Sequence, residues 1–576
     1  MTQGQRLGLW LTSGRAIPAW LALAALIAGV YLAVSGVVFG FSGFPLDDAW
    51  IHQTYARNLG QRGQFAFVPG VTSTGSTAPL WTLLLSLGYL LNLPFKVWTH
   101  GLGIIGLGLS GWTLARLSRR LFLAHNSTGQ AGSVPLPESV FEKRSQHPQV
   151  RHVSQSARRR ASLLTEGTFS AKNKDLVPTF RTFQTLSENA WLVPGLTGLF
   201  LALEWHHAWA AVSGMETILF VWLSLLLAER YLAWQADLET SVRPGFILGV
   251  LGGLLALTRP EGLGLAGLIG LDAGLRWWTS PDRSGSRLFK TWASIGLGLL
   301  LTVSPYFILN LVTTGLLFPN TFYAKQREYA ILLSHFTLFR RWLAVNGVTL
   351  IGAQALLLPG LVWALLLTIR RRRRDLWFLW AWWFSYLLLY ALRLPVTYQH
   401  GRYEIPSLPW LILFGVWGTA SLLRLQAGEF LPRLLSRVWA LTLAALALAF
   451  VAVGAQAYAR DVRIIDTEMV QVALWLRDNT AEDTVIAAHD IGAIGYFTQR
   501  PILDLAGLIT PEVIPFIRDE AQLLNYSRGQ QAEYLVTFPS WYPRLVSAPG
   551  VIQVYTTNAP WAPQAGGDNM AVYRLE

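Results

Sequence analysis

Phe44-Pro45-Leu46-Asp47-Asp48-Ala49-Trp50 follows at once on a mostly apolar run of twenty-five residues, Ile17 to Phe41. About 20 apolar residues suffice for a helix to cross a bilayer, so the run reads as a membrane span and the two carboxylates stand at its far boundary. Adjacent acids at the edge of hydrocarbon are costly unless they are solvated, paired or used. A group that must draw a proton from a hydroxyl beside a lipid-borne reactant belongs in such a place.

The run is too long for the roughly 7–15-residue apolar core of a cleavable signal. It reads as an uncleaved first helix, with Arg6 and Arg15 holding its start inside. Composition agrees. Of 576 residues, 52% are hydrophobic and only 14% charged, against about 25% charged in soluble domains, and mean hydropathy is +0.37. Cysteine is absent, which removes disulfides and Cys-ligated zinc from consideration. The net charge of +13 does not indicate nucleic acid, because no basic, aromatic-interleaved soluble domain carries it. In a membrane chain, surplus Lys and Arg marks cytoplasmic loops and anionic lipid.

Apolar runs lie at 17–41, 97–115, 191–212, 214–233, 244–258, 261–278, 291–312, 345–368, 376–393, 405–422 and 438–457, which gives eleven expected spans. A twelfth run, Pro79 to Leu93, has fifteen residues. It would rise only about 22 Å, short of a core of about 30 Å. Loop charge decides its treatment. With eleven spans, the basic loops Arg116–Arg181, Arg230–Arg243, Arg276–Lys290, Arg370–Arg374 and Arg424–Arg437 all fall inside; with twelve, all fall outside, against the positive-inside rule. Pro79–Leu93 is therefore expected to be an interfacial or re-entrant helix in a first outer loop, 42–96. Lys325, Arg327, Arg340 and Arg341 remain outside as exceptions.

Residues 116–190 hold twelve Lys/Arg against five Asp/Glu and read as a basic, disordered cytoplasmic insertion touching anionic headgroups. Residues 1–457 form the membrane domain. From 458 to 576 a helical run (Asp466–Asn479) alternates with strand-like runs at 485–488, 534–537, 551–555 and 570–573. This is the pattern of a small α/β domain, placed outside by the odd span count. His489-Asp490 resembles the metal-binding pair of a phosphohydrolase, but no other His occurs in this domain. No internal repeat is visible, which weighs against a transporter or flippase of lipid-linked sugars, the alternative reading.

Polar residues gather where spans end on the outer side: His52 and Arg57 after the Asp pair; Glu204, His206 and His207; Ser213-Gly214-Met215-Glu216-Thr217; Thr258-Arg259-Pro260-Glu261-Gly262; Phe318-Pro319-Asn320-Thr321-Phe322-Tyr323-Ala324-Lys325; and Gln399-His400-Gly401-Arg402-Tyr403-Glu404. Span interiors are nearly free of charge, with Asp272 toward an inner end. That distribution favours chemistry at the membrane surface over a path through it.

Asp47-Asp48, Tyr55-Ala56-Arg57-Asn58-Leu59 and Gly75-Ser76-Thr77-Ala78-Pro79-Leu80-Trp81 together resemble the first outer loop of GT-C glycosyltransferases. The likeness is to the bacterial branch of cell-wall arabinofuranosyltransferases and protein-mannosyltransferase-like enzymes. Ser213–Thr217, Arg259–Gly262, Pro319–Lys325, His400–Tyr403 and Asp490-Ile491-Gly492-Ala493-Ile494-Gly495-Tyr496-Phe497 resemble further signatures of that branch. The resemblance implies an α-helical polytopic membrane protein of GT-C type that moves a sugar from a polyprenyl-phosphate carrier to an acceptor on the outer face, usually with inversion. The acceptor would be a glycan, a lipid or a protein, and the setting a bacterial plasma (inner) membrane. By motif position Asp47 is the implied base and Asp48 its orienting or acceptor-binding partner.

The residue types suit that chemistry. One carboxylate deprotonates the incoming hydroxyl while a phosphate leaves, with no second acid needed, unlike glycoside hydrolysis. Cations stabilise the departing phosphate; Arg402, Lys325 and Arg259 are the candidates, in that order, with His52, Glu216, Tyr323 and His400 as further substrate-binding residues. No cofactor is required on this reading, and a divalent cation (Mg or Mn) is possible but not obligatory. Structural roles stand beside each of these. Asp48 caps a helix beginning at Ala49, His52 packs, Arg402 snorkels to the interface, Arg259-Pro260-Glu261 is a tight turn, Glu216 answers a helix dipole, and Lys325 is a surface charge.

Overall fold

The computed structural model describes residues 3–128, 192–236, 242–279, 284–425 and 430–576. Most of the expected basic insertion, from 129 on, lies outside the described residues. A helix coincides with each of the eleven apolar runs, from Ile17–Ala33 to Phe430–Ile465. Among the described residues, six helices are both long and apolar enough to cross a membrane. Their outward faces fit lipid. On Gly285–Thr314, for example, Phe289, Leu300, Ile308 and Val312 are all more than half exposed. The helical part is a multi-pass membrane body. Helices Val242–Ala256 and Gly285–Thr314 cross so closely that a Cβ on Gly249 would lie 2.1 Å from the Ile295 carbonyl oxygen, the small-residue contact by which helices associate in lipid.

Three features depart from the expected elements. The run 191–212 is two helices, Leu192–Leu203 and Trp205–Val212, because Glu204 turns out of the helix and its carboxylate caps the second one by accepting from the His207 amide at 3.1 Å. The last helix runs on through residue 457 to Ile465 and, by a π-turn, into Gln471–Asn479. The run 345–368 divides between Leu338–Val348 and Leu358–Arg370.

Pro79–Leu90 is a helix of twelve residues, about 18 Å long and too short to span. It lies along Asp47–Arg62, tied by Tyr89 Oη donating to Gln53 Oε1 at 2.8 Å.

The tail holds one five-stranded sheet: β1 (Ile486–Ala488), β2 (Ile502–Asp504), β3 (Tyr534–Thr537), β4 (Val551–Thr556) and β5 (Ala571–Leu575), in the order β2-β1-β3-β5-β4. β1 pairs in parallel with β2 and β3, while β5 pairs antiparallel with β3 and β4. β2 offers only two apolar residues, Ile502 and Leu503, between Pro501 and Asp504, too short a run to read from sequence. One continuous apolar core joins tail to membrane body: Phe44, Trp50 and Tyr55 pack with Ile486, Ile494 and Val536.

Candidate active site

The helix Asp47–Arg62 opens at an extended Leu46 (φ −142°, ψ 138°) that makes no side-chain cap. Asp48 therefore does not cap its own helix, and both acids point away from it. Asp47 is 8% exposed. Its Oδ2 accepts from the Gly492 amide at 2.7 Å and its Oδ1 from the Ala493 amide at 2.8 Å, at the start of the tail helix Gly492–Thr498. Only glycine fits at 492, because a Cβ would lie 2.1 Å from the Asp47 carbonyl oxygen. Burial pushes the Asp47 carboxyl up and the two amides oppose this, while the Asp48 charge adds to it, leaving a value of about 6.

Asp48 faces cations. Arg402 Nη2 stands 2.5 Å from its Oδ2 and Lys325 Nζ 3.5 Å away. Burial would raise this carboxyl, but Arg402 and Lys325 outweigh it and hold it well below the usual carboxylate range. Lys325 is pushed up in return, the Asp48 charge overcoming burial. Both cations also donate to the Tyr403 hydroxyl at 2.9 Å. Arg402 is delivered by a tight reversal in which Gln399, His400 and Gly401 all take left-handed backbone (φ 53°, 58° and 64°), a costly run for two side-chain-bearing residues. Its side chain is buried, and Nε and Nη1 have no hydrogen-bond partner. It does not snorkel; it aims free donors inward.

Two hollows meet at this pair. The first, about 380 Å³, lies between helices and is lined by Asp48, His52, Glu216, Arg259, Lys325 and Arg402 among apolar side chains such as Met215 and Leu389. Within it His52 Nε2 is 3.4 Å and Arg259 Nε 3.8 Å from the Glu216 carboxylate, and Arg259 donates to Tyr390 Oη at 2.8 Å. The second, about 740 Å³, lies under the tail and is lined by Asp47, Glu328, Tyr398, His489, Asp490 and Trp541. Asp48, Ile51, Lys325, Arg402 and Leu508 line both. In the second hollow burial, with Asp47 and Asp48 nearby, pushes Asp490 well up. Burial drives His489 down to about 4, and its Nδ1 meets Tyr542 Oη at 2.7 Å.

Of the residues singled out in the sequence, Asp47, Asp48, His52, Glu216, Arg259, Lys325 and Arg402 come together here. Tyr323 and His400 line neither hollow. Tyr323 is two positions from both Thr321 and Lys325 on one helix, which points it to another face. His400 Nε2 pairs with Asp461 Oδ2 at 2.8 Å between the rings of Trp205 and Trp209, where it braces the reversal that presents Arg402. Glu328, Tyr398 and Trp541 were missed as site residues because they come from separate segments with no local pattern, whereas His489-Asp490 stood out in the sequence only as a metal-binding pair and as part of a tail motif. Among the described residues no group of three or more His, Cys, Asp or Glu is placed to hold a metal ion.

Residues 456–573 match a family model described as a domain of unknown function, DUF8728. No curated protein matches the chain by sequence. Solved structures do resemble it. ArnT from Cupriavidus metallidurans in the apo state superposes with a TM-score of 0.53 at 14% identity, covering 97% of each chain. The same protein bound to undecaprenyl phosphate gives 0.51 at 13%, again over 97% of each. The Archaeoglobus fulgidus oligosaccharyltransferase tethered with an acceptor peptide gives 0.56 at 11%, over 95% of this chain and 73% of that one. Likeness along nearly the whole chain, from the first helix to the tail sheet, shows that this protein has the GT-C glycosyltransferase fold.

Proposed function

We propose that the protein is a glycosyltransferase that moves a sugar from a polyprenyl-phosphate carrier to an acceptor hydroxyl at the outer membrane face, with inversion. The observation that carries this reading is the position of Asp48, Lys325 and Arg402 on the wall shared by the two hollows. The inter-helix hollow, mostly apolar with a cationic end, suits a lipid-linked phosphosugar. The hollow under the tail opens on Asp47 and suits an acceptor. A structure of this fold has undecaprenyl phosphate bound, which favours a carrier of that class here.

On this reading the unpartnered Arg402 donors and Lys325 take the donor phosphate as charge builds on its bridging oxygen. Asp48 keeps the two cations poised before the donor arrives. Asp47, with a pKa of about 6, ionises just below neutral pH and is the better matched base. It accepts the acceptor's proton while the hydroxyl oxygen bonds to the anomeric carbon and the phosphate leaves with the bonding pair.

The test is transfer from a panel of radiolabelled polyprenyl-phosphate sugars by membranes carrying wild type, Asp47→Asn or Asp48→Asn. Wild type transfers from at least one donor, and Asp47→Asn loses about 10²–10⁴-fold at normal protein level. Full activity in Asp47→Asn with loss in Asp48→Asn moves the base to Asp48. Full activity in both sinks the mechanism.

A further inference from the structure

The opposite end of the helical body carries a further charged hollow that the proposed reaction does not use. Helix Phe95–Thr128 starts beside the active site, where Phe95 packs on Trp50 and Tyr496. Arg116 is twenty-one residues further on, about 32 Å along the axis, which matches a hydrocarbon core of about 30 Å. Here a hollow of about 790 Å³ opens among Thr12, Arg116, Arg119, Arg120, Arg276 and Asp375.

Arg116, Arg119 and Arg120 are spaced to share one helix face. Arg116 Nη2 and Arg120 Nε donate to the same oxygen, Oε1 of the buried Glu229, at 2.9 and 2.6 Å. Arg230 Nε is 3.6 Å from its other oxygen. Arg119 donates to Thr12 Oγ1 at 2.9 Å. Arg276 Nε donates to Asp272 Oδ2 at 2.7 Å, whereas its buried Nη2 has no hydrogen-bond partner. Arg373 grips Asp375 at 2.8 and 2.6 Å. Among the described residues, five guanidiniums (116, 120, 230, 276 and 373) thus share three carboxylates (229, 272 and 375).

Each guanidinium has five donors, and its planar fork matches phosphate oxygens two at a time. An anion entering the hollow relieves the repulsion among the arginines and engages donors that the carboxylates leave over. Leu121 and Leu232 also line the hollow and give it some apolar surface for the first carbons of an acyl chain.

We infer that this arginine-lined hollow is a phosphate-binding site, occupied by the headgroup of an anionic phospholipid or by free inorganic phosphate. Basic pockets between helices at a membrane face hold lipid headgroups on the same terms. The inference is independent of the reaction proposed above.

The test uses the full-length protein, delipidated in detergent. Native mass spectrometry counts phosphatidylglycerol and phosphatidylcholine retained at equal supply, and inorganic phosphate is titrated against the fluorescence of Trp112, whose ring lies 4.7 Å from the Arg116 guanidinium. Wild type is expected to prefer phosphatidylglycerol about ten-fold, about 1.4 kcal/mol, with no response to inorganic phosphate if the lipid is the source. If free phosphate is the source, it quenches saturably and displaces the lipid. Arg120→Gln/Arg276→Gln removes either response. Where that pair melts early in phosphatidylcholine nanodiscs, Arg276→Lys alone, which keeps the charge but lacks the free Nη2, weakens binding about three-fold. Equal retention of both lipids with no phosphate response, or wild-type binding by the variants that fold, overturns the inference.

Discussion

Replacing Gly492 by Ala perturbs the site without touching a chemical group in it. The new Cβ would lie 2.1 Å from the Asp47 carbonyl oxygen and 2.7 Å from Asp47 Oδ2. Ordinary contact begins at 3.4 Å, so the tail helix and the Asp47–Arg62 helix must part by at least 1.3 Å at this point. The amide bonds to Asp47 at 2.7 and 2.8 Å then stretch to about 4 Å and are lost. Bonds of this kind to a charged group contribute about 1.5–3 kcal/mol each, so docking of the tail weakens by about 3 kcal/mol or more. Both amides lower the Asp47 pKa, so losing them raises it from about 6. One unit is about 1.4 kcal/mol, no more than about half of what the two bonds contribute, and a rise of about one unit or more is expected.

If Asp47 is the base, it works only when ionised. The acid limb of kcat/KM therefore moves upward, lowering the rate about five-fold at pH 6 and about two-fold at pH 7 while leaving pH 8.5 near wild type. The assay is the pH profile of sugar transfer, with limited proteolysis of the tail as a second readout. A limb that stays in place while the rate falls equally at every pH refutes Asp47 as the titrating base. A variant that matches wild type in both assays refutes the docking geometry as well.

Arg402→Lys keeps a positive charge against Asp48 but loses the unpartnered Nε and Nη1; the KM for the lipid-linked donor should rise about ten-fold or more, read from donor titrations, with acceptor KM little changed. Arg500 is buried and donates to the carbonyls of Arg477, Thr480, Ala481 and Thr498 at 2.6–3.0 Å. Arg500→Ala leaves those groups unpaired where the long helix meets the tail and should cost about 3–5 kcal/mol, measured as an earlier melting transition of the tail.

Much of the architecture was legible in the sequence because lipid imposes simple rules. Apolar length and loop charge marked where helices lie, and the fifteen-residue run Pro79–Leu93 was set apart by its length together with loop charge; its helix is tied along the Asp47–Arg62 helix. Strand-like runs found four of the five strands, and β2 escaped because only Ile502 and Leu503 stand between Pro501 and Asp504, too few apolar residues to make such a run. The Glu204 break escaped because its hydrophobic flanks read as one span, while the break depends on a carboxylate preferring the His207 amide. Three of the four cations that the loop rule left as exceptions have partners that no such rule foresees. Lys325 reaches Asp48, Arg327 the Pro515 carbonyl, and Arg341 the Ala391 carbonyl.

By itself the sequence determined a multi-pass body with a small α/β tail and a set of polar motifs confined to the helix ends, because solvation by lipid or water acts on each segment separately. What only the tertiary structure decided is which way adjacent residues face. Asp47 and Asp48 are neighbours in the chain, yet one step on a helix turns them about 100° apart. One meets amides some 445 residues later, while the other meets Lys325 and Arg402. Tyr323 and His400 stood inside the right motifs and ended on other faces. Contacts between distant segments depend on how whole elements pack, and nothing local encodes them.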